Sequence, residues 1–222
     1  MKDIRRVSVF TVYILLIGIL HSQEVPSINP TACADTHHQI IVSIKEQKLL
    51  LATDGKVEGI YPVSTSRFGI GDRFGSFATP LGKFIVRAKI GMGLPLGSVL
   101  RSRSPTGEIL RANAPGRDPI VTRILWLEGI EAGNSHAFSR GIYIHGTPQE
   151  KLLGRPASFG CIRMSSSDVA MLCEHIGTGA KVEIISDRLP MHASFLGELL
   201  NSHRLVAVHS SMPESSGQQQ TE

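Results

Sequence analysis

Residues 39–65 read QIIVSIKEQKLLLATDGKVEGIYPVST, and this stretch indicates a β-sheet protein. Ile40, Val42 and Ile44 alternate with their neighbours, which is the period-two pattern of a half-buried strand. A second apolar run follows a polar turn, and the dipeptide Asp54-Gly55 is a strong hairpin signal before a third run. The stretch therefore predicts three consecutive antiparallel strands.

The rest of the chain continues the strand pattern and adds one helix. Residues 165–168 (SSSD) form an N-cap cluster, and apolar residues then recur at helical spacing as far as Ile176. A segment rich in glycine and proline at 91–118 is interpreted either as a lid over a cleft or as a surface loop. The prediction is a mainly β fold, a sandwich or partly open barrel, with one helix after residue 165. Further strands are predicted at 83–90, 120–127, 141–145 and 181–185, with a short one at 108–112.

The composition indicates one globular domain and argues against nucleic acid as a partner. The 222 residues are 41% hydrophobic and 19% charged, as in ordinary globular proteins. Half of the net charge of +4 comes from the first six residues, where three basic residues oppose Asp3. No other run of Lys and Arg occurs in the sequence, and aromatic residues are not interleaved with basic ones, so no nucleic-acid partner is expected.

The first 22 residues have the pattern of an export signal. Basic residues precede an apolar run of 14 at 7–20, shorter than the roughly 20 residues of a membrane-spanning helix. Residues 1–22 are therefore predicted to be a signal peptide or, if uncleaved, a membrane anchor and the only membrane contact. The domain is expected in the periplasm or cell envelope. The predicted organisation continues with a linker at 23–38, a domain at 39–186 and a partly disordered C-terminal extension at 187–222.

Cys161 is the candidate nucleophile, because its surroundings supply what a reactive thiol needs. A free thiol has a pKa of about 8.5 and is mostly protonated at neutral pH, so it needs a nearby cation or base. Arg163 lies two residues after the cysteine, and His145 stands at the end of a predicted strand, before Gly146. A buried structural cysteine is the alternative at this point.

The other cysteines, histidines and glycines indicate neither a metal nor a cofactor. Cys33 and Cys173 are available for a disulfide in an oxidising compartment, and the sequence leaves this pairing open. His37-His38 and Cys173-Glu-His175 lack further ligands at familiar spacing. Gly69-Ile-Gly71 lacks the glycine spacing and the following helix of a dinucleotide site. No metal and no cofactor are expected.

The strings IYIHGT at 142–147 and LGRPASFGCIRM at 153–164 closely resemble the signature of the L,D-transpeptidase (YkuD-type) catalytic domain. YPVST at 61–65 and TPLG at 79–82 resemble the family's other recurrent strings, in the expected order. The resemblance covers about residues 39–186. It implies a mainly β fold and an enzyme that acts on peptidoglycan stem peptides.

The resemblance also implies roles for single residues. Cys161 is expected to attack the carbonyl of the third, diamino-acid residue of a tetrapeptide stem, with His145 as general base and acid. Backbone amides near Gly160 are expected to hold the oxyanion. Arg163 is expected either to bind a substrate carboxylate or to hold the loop. Oxyanion or substrate binding is further expected of Ser158 and Gly146.

One position departs from the family pattern. Members commonly have histidine directly before the Gly-Cys pair, whereas this sequence has Phe159. The expected activity is transfer of the donor acyl group to an amine acceptor in cell-wall cross-linking or remodelling. Three alternatives stay open: hydrolysis by the same site (an L,D-carboxypeptidase), a degenerate wall-binding domain, and an unrelated thiol peptidase acting on proteins.

Overall fold

The structure is a computed structural model that describes residues 34–190. These residues contain ten strands and two α-helices, joined by loops. The predicted signal or anchor at 1–22, the linker up to residue 33 and the extension from residue 191 lie outside these residues. The helices are α1 (Ala137–Arg140) and α2 (Ser166–His175). The strands are β1 (His38–Ser43), β2 (Lys48–Thr53), β3 (Lys56–Pro62), β4 (Gly82–Ile90), β5 (Ser98–Arg101), β6 (Ser104–Ile109), β7 (Ile120–Gly129), β8 (Tyr143–Gly146), β9 (Ile162–Met164) and β10 (Lys181–Ile185).

The first three strands form the predicted antiparallel arrangement. Ile40 of β1 pairs with Leu51 of β2, and β2 pairs antiparallel with β3 along its length. Asp54 and Gly55 both have positive φ, at 49° and 75°, as a tight hairpin turn of the primed type requires. The prediction from residues 39–65 is therefore confirmed.

The strands form one open sheet, which confirms the predicted mainly β fold class. Their order is β3-β2-β1-β10-β4-β7-β5-β6, with β8 paired to β7 and β9 paired to β8. β1 and β10 run parallel, as do β8 and β9, and the other pairs are antiparallel. Within the described residues the order begins at β3 and ends at β6, so the sheet is open rather than closed.

α2 closes the main apolar core against β7 and β8. Ser165 caps the helix, since its hydroxyl accepts a 3.1 Å hydrogen bond from the Asp168 amide. The predicted apolar stripe is buried, including Leu172 and Cys173. Cys173 is a free thiol whose pKa burial raises to about 12, and Cys33 lies outside the described residues.

The hairpin of β5 and β6 replaces the single short strand predicted at 108–112. Its tip consists of Ser102 and Arg103, which have positive φ of 49° and 67°. Neither residue is glycine, and the Asn-Gly or Asp-Gly dipeptide that would indicate a hairpin is therefore missing at this turn. Across residues 34–190, no helix combines the length and the apolar character needed to span a membrane.

Candidate active site

Strands β7, β8 and β9 present two faces, and one of them belongs to the core. Leu125 pairs with Ile144, and Ile144 pairs with Ile162. All three side chains are fully buried in the main core. Because successive residues of a strand point to opposite faces, the residues next to these three point to the other face of the sheet.

The candidate catalytic residues lie on that other face, in two adjacent rows. Ile124, His145 and Arg163 pair across the three strands and form one row. Trp126 and Tyr143 pair in the next row, and Cys161, which directly precedes Ile162, continues it. Strand spacings of about 4.8 Å and 3.3 Å per residue then place the Cα atoms of Cys161 and His145 about 8 Å apart, on the same face. The structure thus places these two predicted residues on the same face of neighbouring strands.

His145 is buried and has a defined hydrogen-bonding arrangement. Its Nδ1 lies 2.9 Å from the carbonyl oxygen of Gly146. A carbonyl can only accept, so the neutral ring carries its proton on Nδ1, and Nε2 is left as an acceptor. Burial lowers the pKa of His145 to about 4, with Arg163 lowering it further and the Gly146 hydrogen bond and Asp118 raising it.

The Cys161 thiol is protonated at neutral pH. Loss of hydration raises its pKa to about 11, against the lowering effects of the Tyr143 amide and of the Arg163 and Arg140 guanidinium groups. The side chain is only partly buried, and Sγ donates a 3.3 Å hydrogen bond to the Gly141 carbonyl. At rest, therefore, the thiol and the imidazole are both neutral.

Ser158 holds the turn that carries the thiol. Its hydroxyl donates a 2.6 Å hydrogen bond to the Cys161 carbonyl and accepts a 3.2 Å hydrogen bond from the Gly160 amide. The residue is almost fully buried. The Gly160 amide therefore has a partner within the turn, whereas the described residues provide none for the Cys161 amide.

Two glycines of the predicted site allow close packing. Gly160 has φ of +120°, and a Cβ there would lie 3.3 Å from the Ala78 carbonyl oxygen. The Gly160 carbonyl accepts a 2.9 Å hydrogen bond from Thr79. A Cβ on Gly146 would lie 2.6 Å from the Val121 carbonyl oxygen, which leaves no room for a side chain. Both positions require glycine for the backbone to take this path.

Arg163 forms an ion pair with a residue of the 91–118 segment. Its guanidinium lies 2.7 Å from the Asp118 carboxylate, and Thr147 donates a 2.6 Å hydrogen bond to the other carboxylate oxygen. Both charged side chains are largely buried. The charge of Arg163 is therefore matched within the protein, which favours the loop-holding role over binding a substrate carboxylate.

A second buried ion pair fixes the loop at 66–78 beside the thiol. Arg140 of α1 lies 2.9 Å from Asp72 and donates to the carbonyls of Gly71 and Ala78 at 3.0 and 2.7 Å. Only about one-fifteenth of either charged side chain is exposed. A single guanidinium therefore binds the loop both at Gly71 and Asp72 and at Ala78.

Phe159, at the position where the family commonly has histidine, belongs to an exposed aromatic cluster. Its ring centroid lies 5.5 Å from that of Phe68 and 6.0 Å from that of Phe77. The Arg67 guanidinium lies over the Phe159 ring at 4.3 Å and over Phe68 at 5.0 Å. The position thus supplies a platform for an arginine in place of a titratable ring.

A second arginine is held in the same way on the opposite side of the site. Arg103, at the tip of the β5–β6 hairpin, lies 4.6 Å above the Trp126 ring and 3.4 Å from the Tyr143 hydroxyl. Trp126 is also stacked on Phe138 at 4.1 Å. Cys161 packs against the apolar cluster that contains Tyr143 and Trp126.

Sequence reasoning did not identify Arg67, Arg103, Asp118 or Arg140. The contacts of each depend on residues distant in the chain, and no local motif marks them. Among residues 34–190, no group of three or more His, Cys, Asp or Glu side chains is arranged to hold a metal ion.

Comparison with known proteins gives the family of the chain. The family model described as "YkuD: L,D-transpeptidase catalytic domain" matches residues 37–184. The "Putative L,D-transpeptidase YqjB" of Bacillus subtilis (strain 168) is 30% identical over 148 residues, which cover 67% of this chain and 71% of that protein. The solved structures that resemble this chain are more distant. An L,D-transpeptidase from Mycobacterium smegmatis matches with a TM-score of 0.45 at 20% identity, and L,D-transpeptidase 3 from Mycobacterium tuberculosis, in complex with a faropenem-derived adduct, with 0.46 at 21%.

These two matches cover 68% of this chain, which spans only 59% and 60% of the length of the respective structures. The family model also covers about two thirds of the chain, and it includes both His145 and Cys161. The family expected from the sequence strings is thereby confirmed. This chain belongs to the YkuD family of L,D-transpeptidase catalytic domains.

Proposed function

We propose that the chain is an exported, cysteine-dependent L,D-transpeptidase that acts on peptidoglycan stem peptides in the periplasm or cell envelope. The observation that carries the proposal is the placement of Cys161 and His145 in adjacent rows of one sheet face, with His145 Nε2 left as an acceptor. A nucleophile and a base in this relation are the minimum that acyl transfer needs.

In the first half-reaction, the Cys161 thiol gives its proton to His145 Nε2 as sulfur attacks the carbonyl of the third stem residue. The oxyanion forms beside the Cys161 amide, and such a donor is typically worth about 3 kcal/mol in the transition state. His145 then protonates the leaving amine, the C–N bond breaks, and D-alanine departs. The product is a thioester between Cys161 and the donor peptide.

In the second half-reaction, an amine of an acceptor stem attacks the thioester. His145 takes the proton of the amine, the C–S bond breaks, and the thiol is regenerated by the same proton. The cross-linked peptide then leaves. Water in place of the amine gives the tripeptide acid, which is the carboxypeptidase reaction.

The neutral resting state fits general-base activation and not a preformed ion pair. With the pKa of Cys161 at about 11 and that of His145 at about 4, the thiol keeps its proton until the substrate is in place. Arg163, Arg140 and the Tyr143 amide favour the thiolate as it forms. The base therefore works during the attack itself.

The test is incubation of the purified full chain with disaccharide-tetrapeptides, followed by mass spectrometry. Cross-linked dimer with release of D-alanine supports transfer, whereas tripeptide alone supports hydrolysis. Cys161→Ala is expected to abolish either product. Turnover that survives this substitution contradicts the assignment.

A degenerate wall-binding domain is the second candidate, and the observation that favours it is Phe159 at the position where family members commonly have histidine. It predicts that peptidoglycan binds the wild-type chain and Cys161→Ala equally, with neither product formed. Incubation with a thiol-reactive acyl donor separates the two candidates, because only an active site accumulates a thioester adduct at Cys161 that His145→Gln prevents.

A further inference from the structure

Four arginines belong to the candidate site, and they fall into two kinds. Arg140 and Arg163 are buried and paired with Asp72 and Asp118. Arg67 and Arg103 are exposed, and no carboxylate of residues 34–190 lies within ion-pair distance of either one. Carboxylates of the protein neutralise the charges of Arg140 and Arg163, whereas Arg67 and Arg103 are available to bind an anionic ligand.

The two unpaired arginines lie on opposite sides of Cys161. Arg103 lies over the Trp126 ring and donates a hydrogen bond to the Tyr143 hydroxyl. Trp126 and Tyr143 precede Cys161 in the row that runs from β7 to β9. Arg67 lies past β9 on the other side, because Ser64 exchanges backbone hydrogen bonds with Arg163 and the Arg67 amide donates to the Ser158 carbonyl. Arg67 and Arg103 therefore lie on opposite sides of the turn and strand that carry Cys161 and Arg163.

Aromatic rings hold both guanidinium groups in position. Arg67 lies over the rings of Phe159 and Phe68, and Arg103 lies over Trp126. A guanidinium that rests its face on a ring keeps its N–H donors at the edge, where they can bind a carboxylate by two parallel hydrogen bonds. Less side-chain freedom is then lost on binding, since the groups are already ordered.

The proposed donor can carry a carboxylate on each side of the scissile bond. The scissile bond joins the third stem residue to D-alanine, whose carboxylate lies just past the leaving nitrogen. If the third residue is a diamino dicarboxylic acid, its side chain ends in a second carboxylate on the donor side of the bond. A lysine at this position lacks that group. The scissile carbonyl of such a stem therefore stands between two anions.

We propose that Arg67 and Arg103 bind the two carboxylates that flank the scissile bond of the donor stem and thereby select stems whose third residue is a diamino dicarboxylic acid. The inference rests on the proposed function for the identity of the donor. It assigns a role to Phe159: the ring orients Arg67 for the carboxylate. Binding of the peptide, rather than its turnover, is the primary measure of this role.

The experiment is calorimetric titration of the full chain carrying Cys161→Ala with three synthetic tetrapeptides. One carries both flanking carboxylates and is called the dianionic stem after them, the second has a terminal carboxamide, and the third has lysine at the third position. Emission of Trp126, the single tryptophan of the chain, gives a second readout because Arg103 lies on its ring. The dianionic stem is expected to bind about 10-fold more tightly than either analogue, as for a charge-assisted hydrogen bond.

Substitution then assigns the arginines. Arg67→Gln and Arg103→Gln, each added to the Cys161→Ala chain, are expected to weaken binding of the dianionic stem about 10-fold. Each is expected to abolish discrimination against one analogue only. Arg73→Gln in the 66–78 loop and Arg101→Gln in the hairpin are matched exposed controls and should leave all three affinities unchanged.

Equal affinity of the three peptides for the Cys161→Ala chain, or full discrimination in both arginine variants, overturns the proposal. Loss of discrimination in only one variant contradicts the proposal that each of the two arginines binds a carboxylate. These outcomes are independent of catalysis. Failure of the wild-type chain to release D-alanine would instead contradict the proposed function while the binding result still decides the role of the arginines.

Discussion

The Arg163 guanidinium and the Asp118 carboxylate lie 2.7 Å apart in a largely buried ion pair directly beside His145. Arg163 shares a row of the sheet with His145, and Asp118 ends the segment that carries the β5–β6 hairpin. The pair thus joins β9 to the segment that connects the β5–β6 hairpin to β7. The two charges also act on the pKa of His145 in opposite directions, because Arg163 lowers it and Asp118 raises it.

Asp118→Asn is expected to destabilise the protein by about 3 kcal/mol, because it leaves the Arg163 charge buried without a partner. Removing the carboxylate is also expected to lower the pKa of His145 further, since Asp118 raises it in the native protein. Urea denaturation at pH 7 measures the first effect.

The matched control for this substitution is Glu128→Gln. Glu128 pairs with Arg87 at 3.5 Å, and both side chains are more than one-third exposed. Its loss should change the free energy of unfolding by no more than about 0.5 kcal/mol. If the two variants lose similar amounts of unfolding free energy, burial does not make the Arg163–Asp118 pair more important for stability than an exposed pair.

The pH dependence of stability carries a signature of His145. Its pKa is about 4 in the folded protein, against about 6.5 in an unfolded chain. As pH falls through this window the unfolded state takes up the proton first, so stability decreases from pH 6.5 towards pH 4 and is unaffected by this group outside it. At pH 4.5 the loss relative to pH 7 is expected to be about 2 kcal/mol.

Comparison of the wild-type chain with His145→Gln isolates this contribution from other titrating groups. The variant should lose less stability between pH 7 and pH 4.5, as measured by urea denaturation at both values. His37→Gln provides a contrast of opposite sign, since Asp54 raises the pKa of His37 and favours its protonated, folded form. Identical pH profiles for wild type and His145→Gln would show that the imidazole is not buried as a neutral ring.

The same reasoning predicts slow alkylation of the candidate nucleophile. With a pKa of about 11, Cys161 is almost entirely protonated at pH 8, and its reaction with iodoacetamide should accelerate steadily up to about pH 10. Cys173 is fully buried and should not react before unfolding. Mass spectrometry of the labelled peptides separates the two sites. A plateau in the Cys161 rate below pH 8 would contradict the neutral resting thiol.

Local signals in the sequence were sufficient for much of the fold. Asp54-Gly55 specifies its turn through positive φ, and Ser165 caps α2, because both effects act within a few residues. The β5–β6 hairpin was missed because Ser102 and Arg103 take positive φ without glycine, at a backbone cost that only the completed fold offsets.

In the candidate site too, residues marked by local motifs could be predicted and residues defined by long-range contacts could not. Cys161 and His145 stand in strings that resemble a known family, so the sequence identified them before any geometry was known. The partners that hold the site could not be found in this way. Arg163 and Asp118 lie 45 positions apart, and Arg103 meets Trp126 only when β5 of the hairpin pairs with β7. Long-range pairing of this kind leaves no period or motif in a single sequence.

Ser158 provides the sharpest test of how the turn supports the reaction. Ser158→Ala removes the hydroxyl that bonds the Cys161 carbonyl and the Gly160 amide, and it leaves two buried polar groups without that partner. The expected cost is about 1–3 kcal/mol in the free energy of unfolding. A larger relative effect is expected on kcat, roughly 10-fold or more, because displacement of the thiol by about 1 Å disturbs its alignment with the substrate.

Ser139→Ala is the control for this change, since Ser139 is exposed and its hydroxyl also donates to a carbonyl, that of His136, at 2.9 Å. It should leave both unfolding and turnover close to wild type. Ser158→Thr keeps a hydroxyl at the position, so partial recovery of kcat would assign the effect to the hydrogen bonds. If Ser158→Ala is destabilised yet turns over at the wild-type rate, the hydroxyl supports the fold of the loop and not the position of the thiol.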